Sequence, residues 1–371
     1  LNKALSLKKT LSLKKILSAV LATAVFCAAF FAAQRLVMPK YMQKPFEGAL
    51  TAEYYRDSHR SDLLIIGDCE VYENISPVTL WEAYGIPSYI RGNARQLLWQ
   101  SRAMLEDSLR YETPKVVLLS VLCMIYGESP WDAEPYSRMV FDGMPLSAAK
   151  LRALRNSLLP EEEPLSYLFP LLRFHDRWNE LGADDFRYFF RRDPVSVNGF
   201  VMRADTLAAD WIPTPRLLPD YSFGQRAIDA LDAITALCGE KGIQLVLFKA
   251  PSLMPHWYDE WDTWIADYAR TRGLEYLNAL ALREEIGLDF SSDTYDAGLH
   301  LNLAGAEKMA RYLGGWLRER CPTLTDRRTE ADFAAAWETK TAKYRAWQAA
   351  QEHELQQDGE LKSVMLYQAL R

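Results

Sequence analysis

Cys69 stands in Gly67-Asp68-Cys69-Glu70, immediately after the apolar run Leu63-Leu64-Ile65-Ile66. Late in the chain Asp293, Asp296 and His300 crowd into one short stretch, separated by Thr294-Tyr295 and Ala297-Gly298-Leu299. A thiol, an imidazole and a carboxylate are the groups of nucleophilic catalysis: the imidazole takes the thiol proton, and the carboxylate orients the imidazole. A histidine partner also lowers a thiol's pKa and enlarges the thiolate fraction. The same residues have plainer uses. A lone cysteine packs well as a small buried hydrophobe, and His300, next to a helix start, can serve as a cap within the core.

Around this set lie further candidates. Gly92 and Asn93 follow a short strand and could donate to a developing oxyanion together with the Cys69 N–H, or simply form a strand-to-helix turn. His175, flanked by Arg173 and Arg177, could bind an anionic or sugar substrate or be a solvated charge cluster. Lys249 and Ser252 close another apolar strand and are candidate pocket-wall residues. The orienting acid is open between Asp296 and Asp293. The five cysteines show no CxxC spacing and no histidine pattern, so neither a zinc site nor a disulfide framework is indicated, and no cofactor is implied.

These residues need elements to position them. Residues 63–66 read as a buried strand ending in a glycine turn. A helix over 78–84 closed by Gly85, a strand over 88–90, a helix over 94–110 and a strong strand over 115–122 follow. After a pause the rhythm resumes: helix 223–240, strand 244–249, helix 260–271, strand 274–278 and helix 304–319. Such alternation predicts an α/β fold on a parallel sheet with right-handed crossovers. The intervening residues 126–222 are too many for a loop and read as a lid or small subdomain. Residues 321–371 read as a polar tail whose helix, 331–357, lies in solvent with Phe333, Trp337, Tyr344 and Trp347 spaced for one face.

The chain start sets the compartment. A basic repeat fills residues 1–15, Leu5-Ser6-Leu7-Lys8-Lys9 and Leu11-Ser12-Leu13-Lys14-Lys15, and an apolar run from Ile16 to Ala33 follows, which sets a transmembrane anchor over 16–35. Lysines before the span place the N-terminus in the cytoplasm and the rest outside. A signal peptide is the rival, but Phe30-Phe31-Ala32-Ala33 offers no suitable cleavage site, so an uncleaved anchor is expected. The net charge of −6 becomes −12 over residues 36–371 once the six basic side chains before them are set aside, which argues against nucleic acid as a partner.

Taken together, the Gly-Asp-nucleophile turn, Gly92 after the second strand and the Asp296/His300 pair before the last helix resemble the SGNH (GDSL-type) hydrolase superfamily. The nearest likeness is to membrane-anchored bacterial members, the polysaccharide O-acetylation proteins and, more loosely, the teichoic-acid D-alanylation protein. It covers residues 60–125 and 223–320. Cys69 replaces the family serine, the third-block Gly-x-Asn-Asp is missing after Leu122, and the acid-to-histidine spacing is one residue longer.

The resemblance implies a three-layer, flavodoxin-like sandwich split into 36–125 and 223–320. It also implies an acyltransferase or esterase acting on O-acyl groups, acetyl above all, of a cell-surface polysaccharide or cell-wall polymer. A membrane-embedded protein would deliver the acyl donor at the bacterial cytoplasmic membrane. The alternative is a non-catalytic scaffold that binds a glycan or an assembly partner. The family's strand order sets Cys123 beside Cys69, so a disulfide between them is a third fate for the thiol.

Overall fold

Runs of apolar β-formers build the centre of the protein. The structure, a computed structural model, describes residues 2–38, 46–58, 60–190, 194–212 and 214–362. Five strands, β1 (Leu63–Gly67), β2 (Ser88–Gly92), β3 (Val116–Ser120), β4 (Gln244–Lys249) and β5 (Glu275–Asn278), form one parallel sheet in the order β2-β1-β3-β4-β5. Every residue of β1, β2 and β3 is buried, as strands covered on both faces require.

Alternate side chains serve opposite faces. Leu63, Ile65, Val116, Leu118, Val246 and Phe248 share one core with Leu80 and Trp81 of the helix Pro77–Tyr84 and with Met309, Leu313 and Leu317 of the helix Leu303–Arg320. The helices Leu98–Ser108 and Gln225–Lys241 pack on β1 and β4 and on each other. Each fully buried aliphatic side chain contributes about 1.5–3 kcal/mol. Left-handed glycines Gly85, Gly242 and Gly273 end three of the helices and return the chain to the sheet.

Three expectations change. The helix expected from 94 begins at Leu98, because Arg95 turns into the left-handed region (φ 50°) and Gln100 Oε1 caps the Leu97 N–H at 2.9 Å. The tail helix, Ala331–Asp358, is not a solvated appendage. Its Trp337 stacks on Trp81 with ring centroids 5.1 Å apart, and buried Tyr344 bonds both Ser76 Oγ (3.1 Å) and Glu307 Oε1 (3.0 Å). Positions 337 and 344 lie two turns apart, so one helical stripe closes the core.

The stretch 126–222, in turn, is divided between two compact units: residues 1–40 with 163–193, and residues 41–162 with 194–371. In the second, the helices Glu134–Phe141 and Ala148–Ser157 pack on their neighbours Phe46–Tyr54 and Leu98–Ser108. In the first, the helix Asn2–Val37 contains Leu13–Val37, which is long and apolar enough to cross a membrane. Its last turns meet the 163–193 segment: Gln34 Oε1 accepts from Leu171 N (2.6 Å), Arg177 donates to Val37 O (2.7 Å), and Phe30 meets Phe169 at 6.0 Å.

Candidate active site

Strand order reverses at β1: β2 lies on one side of it and β3 on the other. Open α/β sheets form their crevice at such a switch point, outside the carboxyl ends of the strands. Cys69 stands there, opening the helical turn Cys69–Tyr72 directly after β1. Asp68 caps that turn, its Oδ1 accepting from Glu70 N at 3.1 Å.

The histidine arrives from the loop before Leu303–Arg320. Ala297 (φ 61°) and Gly298 (φ 93°) both adopt left-handed backbone, so the loop doubles back between Asp296 and His300. Asp296 Oδ1 accepts the His300 backbone N–H at 2.7 Å, and Oδ2 lies 2.6 Å from Nδ1. Thr294 Oγ1 donates to His300 O (2.7 Å), and Asn74 Oδ1 accepts from Leu301 N (2.7 Å), which pins the loop beside the Cys69 turn.

Nδ1 also faces Glu73 Oε2 at 3.0 Å, from a side chain wholly shielded from solvent. With Nδ1 taken by carboxylates, the buried Nε2 is the ring atom left for Cys69, whose thiol lies against the imidazole without a well-aligned hydrogen bond. The imidazole is thus hydrogen-bonded to Asp296 and electrostatically coupled to the neighbouring thiol.

Charges decide its resting state. Burial pushes the Cys69 thiol up to about 11, Asp68 and Glu73 add to the rise, and His300 opposes it. Burial alone would lower the His300 pKa, but the Glu73 charge, Cys69 and the Asp296 hydrogen bond outweigh it and hold it well above the ordinary value. At neutral pH the pair rests as thiol and imidazolium. It must lose one proton before sulfur becomes a nucleophile.

The other candidates fall elsewhere. Asp293 is salt-bridged to Lys308 (2.7 Å) and accepts from Asp289 N (2.8 Å), so it anchors the loop and leaves the imidazole to Asp296. Asn93 spends its amide on Gln96 (2.8 Å) and Thr51 (3.2 Å), and its N–H on Gly67 O (3.4 Å). At Gly92 a Cβ would come within 3.0 Å of Asp68 O, Val71 and Tyr72, so its bare Cα lets the Cys69 turn sit on β2. Lys249 and Ser252 are buried against Glu70 instead of lining a pocket wall. Arg173 and His175 belong to the unit that contains the membrane-length helix; the Arg173 guanidinium lies over the Phe174 ring, and His175 pairs with Asp176 at 3.0 Å.

Cys69 and Cys123 are both free thiols, and Cys123 donates to Asp68 Oδ2 at 3.2 Å, not to a disulfide. Among the described residues no group of three His, Cys, Asp or Glu side chains is placed to hold a metal ion. A cavity of about 330 Å³ opens away from Cys69, between the helices Leu98–Ser108, Ala148–Ser157 and Gln225–Lys241.

The chain matches no protein-family model and no curated protein. The reading of the site thus rests on its geometry. Sequence reasoning missed Glu73, Glu70 and Tyr295. The available signal was local: two glutamates three residues apart in the turn after Cys69, and a tyrosine directly before Asp296.

Proposed function

We propose that this chain is a membrane-anchored, extracytoplasmic acyltransferase or esterase that acts on O-acyl groups, acetyl by its resemblance to SGNH hydrolases, of a cell-surface polysaccharide. The observation that carries this reading is the meeting of Cys69, His300 and Asp296 at the switch point of a parallel sheet.

Once the resting imidazolium has given its Nε2 proton to solvent, His300 Nε2 takes the thiol proton and Sγ attacks the acyl carbonyl carbon, placing the carbonyl electron pair on oxygen. The Cys69 N–H, at a helical start without an intrahelical acceptor, is a donor for that oxyanion. Collapse breaks the bond to the leaving alkoxide, which receives the proton from His300 and leaves a thioester on Cys69. A sugar hydroxyl or water then attacks the thioester, His300 again carrying the proton. No step uses a metal or organic cofactor. Acyl donor would come from a membrane-embedded partner, and the lysines before the apolar span orient the domain outward from a bacterial cytoplasmic membrane.

A second reading, a non-catalytic scaffold for a glycan or an assembly partner, draws support from the fully protonated resting pair. Chromogenic acetyl ester turnover by the full chain in detergent separates the two. The acyl reading expects turnover that disappears in both Cys69→Ala and His300→Ala; turnover that survives Cys69→Ala contradicts it.

A further inference from the structure

Two carboxylates face one imidazole nitrogen, and they reach it from different parts of the chain. Asp296 belongs to the histidine's own loop and holds the ring to that loop through Oδ2 and the His300 backbone through Oδ1. Glu73 belongs to the nucleophile's turn: its N–H donates to Cys69 O at 3.2 Å, closing the turn that Cys69 opens. Its Oε1 accepts from Tyr295 OH at 2.7 Å, so the same carboxylate grips both the ring and the residue before Asp296. The Tyr295 ring runs nearly parallel to the imidazole, 14° between planes, and the Arg203 guanidinium lies over its centre at 4.2 Å.

We propose that Glu73 is a positioning residue, a strut that fixes His300 relative to Cys69, while Asp296 fixes the orientation of the ring. The inference rests on the reading of Cys69 and His300 as nucleophile and base. A buried carboxylate with no electrostatic partner is costly, and Glu73 meets that cost by lying against the imidazolium with a tyrosine hydroxyl on its other oxygen. The groups that face the His300 ring are Glu73 and Cys69 from the turn after β1 and Asp296 and Tyr295 from its own loop, with Asp68 acting on Cys69 and Arg203 on Tyr295 and Glu73. With a second carboxylate 3.0 Å from Nδ1, loss of Asp296 alone leaves a negative charge that holds the proton on that nitrogen. In a triad with a single acid, the corresponding change reverses the tautomer.

The test is the titration of the His300 ring, followed by NMR in the full chain in detergent micelles with ring-labelled histidine; His300→Gln assigns the signal. Glu73→Gln is expected to lower the midpoint by about one pH unit or more, since an anion within a few ångströms of an imidazolium favours it by that much. Glu73→Asp, which keeps the charge but shortens the reach, is expected to lower it less. Asp296→Asn is expected to keep Nδ1 protonated in the neutral ring, and Glu73→Gln with Asp296→Asn to lose that preference.

A midpoint that stays in place in folded Glu73→Gln overturns the strut. If Glu73→Gln does not fold, an unmoved midpoint in Glu73→Asp does the same. Acetyl ester turnover, measured on the same samples, keeps the two readings apart. A shifted midpoint without turnover in the wild-type chain supports the strut and overturns the acyl chemistry; turnover with an unmoved midpoint overturns the strut alone.

Discussion

Lys249 Nζ lies 2.7 Å from Glu70 Oε1, and neither side chain is reached by solvent. The pair ties the end of β4 to the residue after Cys69, and Ser252 Oγ and Ala250 O take further donors of the ammonium group. Removing one partner strands a charge in the interior. Lys249→Met is therefore expected to cost about 3–5 kcal/mol of unfolding free energy, and the double variant Lys249→Met/Glu70→Met to recover part of the loss. Urea unfolding of the four forms checks this; a double variant less stable than either single one would contradict it.

Asp68 works against stability at neutral pH. Burial, and then the Glu70 charge, lift its carboxyl to about 6 from an ordinary 3.8. A raised acid binds its proton more tightly folded than unfolded, so between about pH 4 and 6 the native state holds the extra proton and stability falls as pH rises. Above 6 the full penalty remains. Asp68→Asn is expected to raise stability at pH 8 by on the order of 1–3 kcal/mol and to give no gain near pH 4. A gain of equal size at both pH values would show that the titration is not its source.

Gly92 tests the packing beneath the site. A methyl group there meets the Asp68 carbonyl, Val71 and Tyr72 at 3.0 Å, and the carbonyl cannot rotate aside. Gly92→Ala is expected to cost about 1–3 kcal/mol by overpacking and to displace the Cys69 turn. Thermal unfolding reads the first effect and the alkylation rate of Cys69 the second. Unchanged values for both would remove the close-approach explanation of this glycine.

Local rules reached the strands and stopped short of the convergence. Leu63 to Ile66 and Val116 to Leu119 announce buried strands because a doubly covered sheet leaves no face for polar residues. Gly85 announced a helix end because few other residues take its left-handed backbone. The places of Cys69, His300 and Asp296 were legible for a similar reason: the turn after an inner strand and the loop before the last helix both lie at the carboxyl end of an open sheet, where its crevice forms. Glu73 was not. In sequence it is an unremarkable acid in a helical turn, and only the fold shows that the Asp296–His300 loop comes to rest on it. The buried tail helix was hidden for a different reason, since Trp337 and Tyr344 are separated by six polar-dominated positions that average to a solvated profile. Lys249 misled because a lysine at a strand end reads as a pocket residue unless its buried acid partner is known.

The pH dependence of the thiol follows from its surroundings. With the thiol lifted to about 11 and His300 drawing it down, alkylation of Cys69 by iodoacetamide is expected to be slow at pH 7 and to climb steadily toward pH 10. His300→Ala removes the group that favours thiolate, so its climb is expected at higher pH. Peptide mass spectrometry assigns the modified cysteine. A profile moved to lower pH in His300→Ala would mean that the imidazole does not stabilise the thiolate.

The most direct measurement of the central claim is the covalent state of Cys69 during reaction with an activated acetyl ester. The full chain in detergent is quenched in acid within the first turnover, digested and examined by mass spectrometry. An acetyl group on Cys69, absent from His300→Ala and removed on standing with water or a sugar acceptor, is the predicted result. Ester turnover with an unmodified Cys69 at every time point would contradict the account.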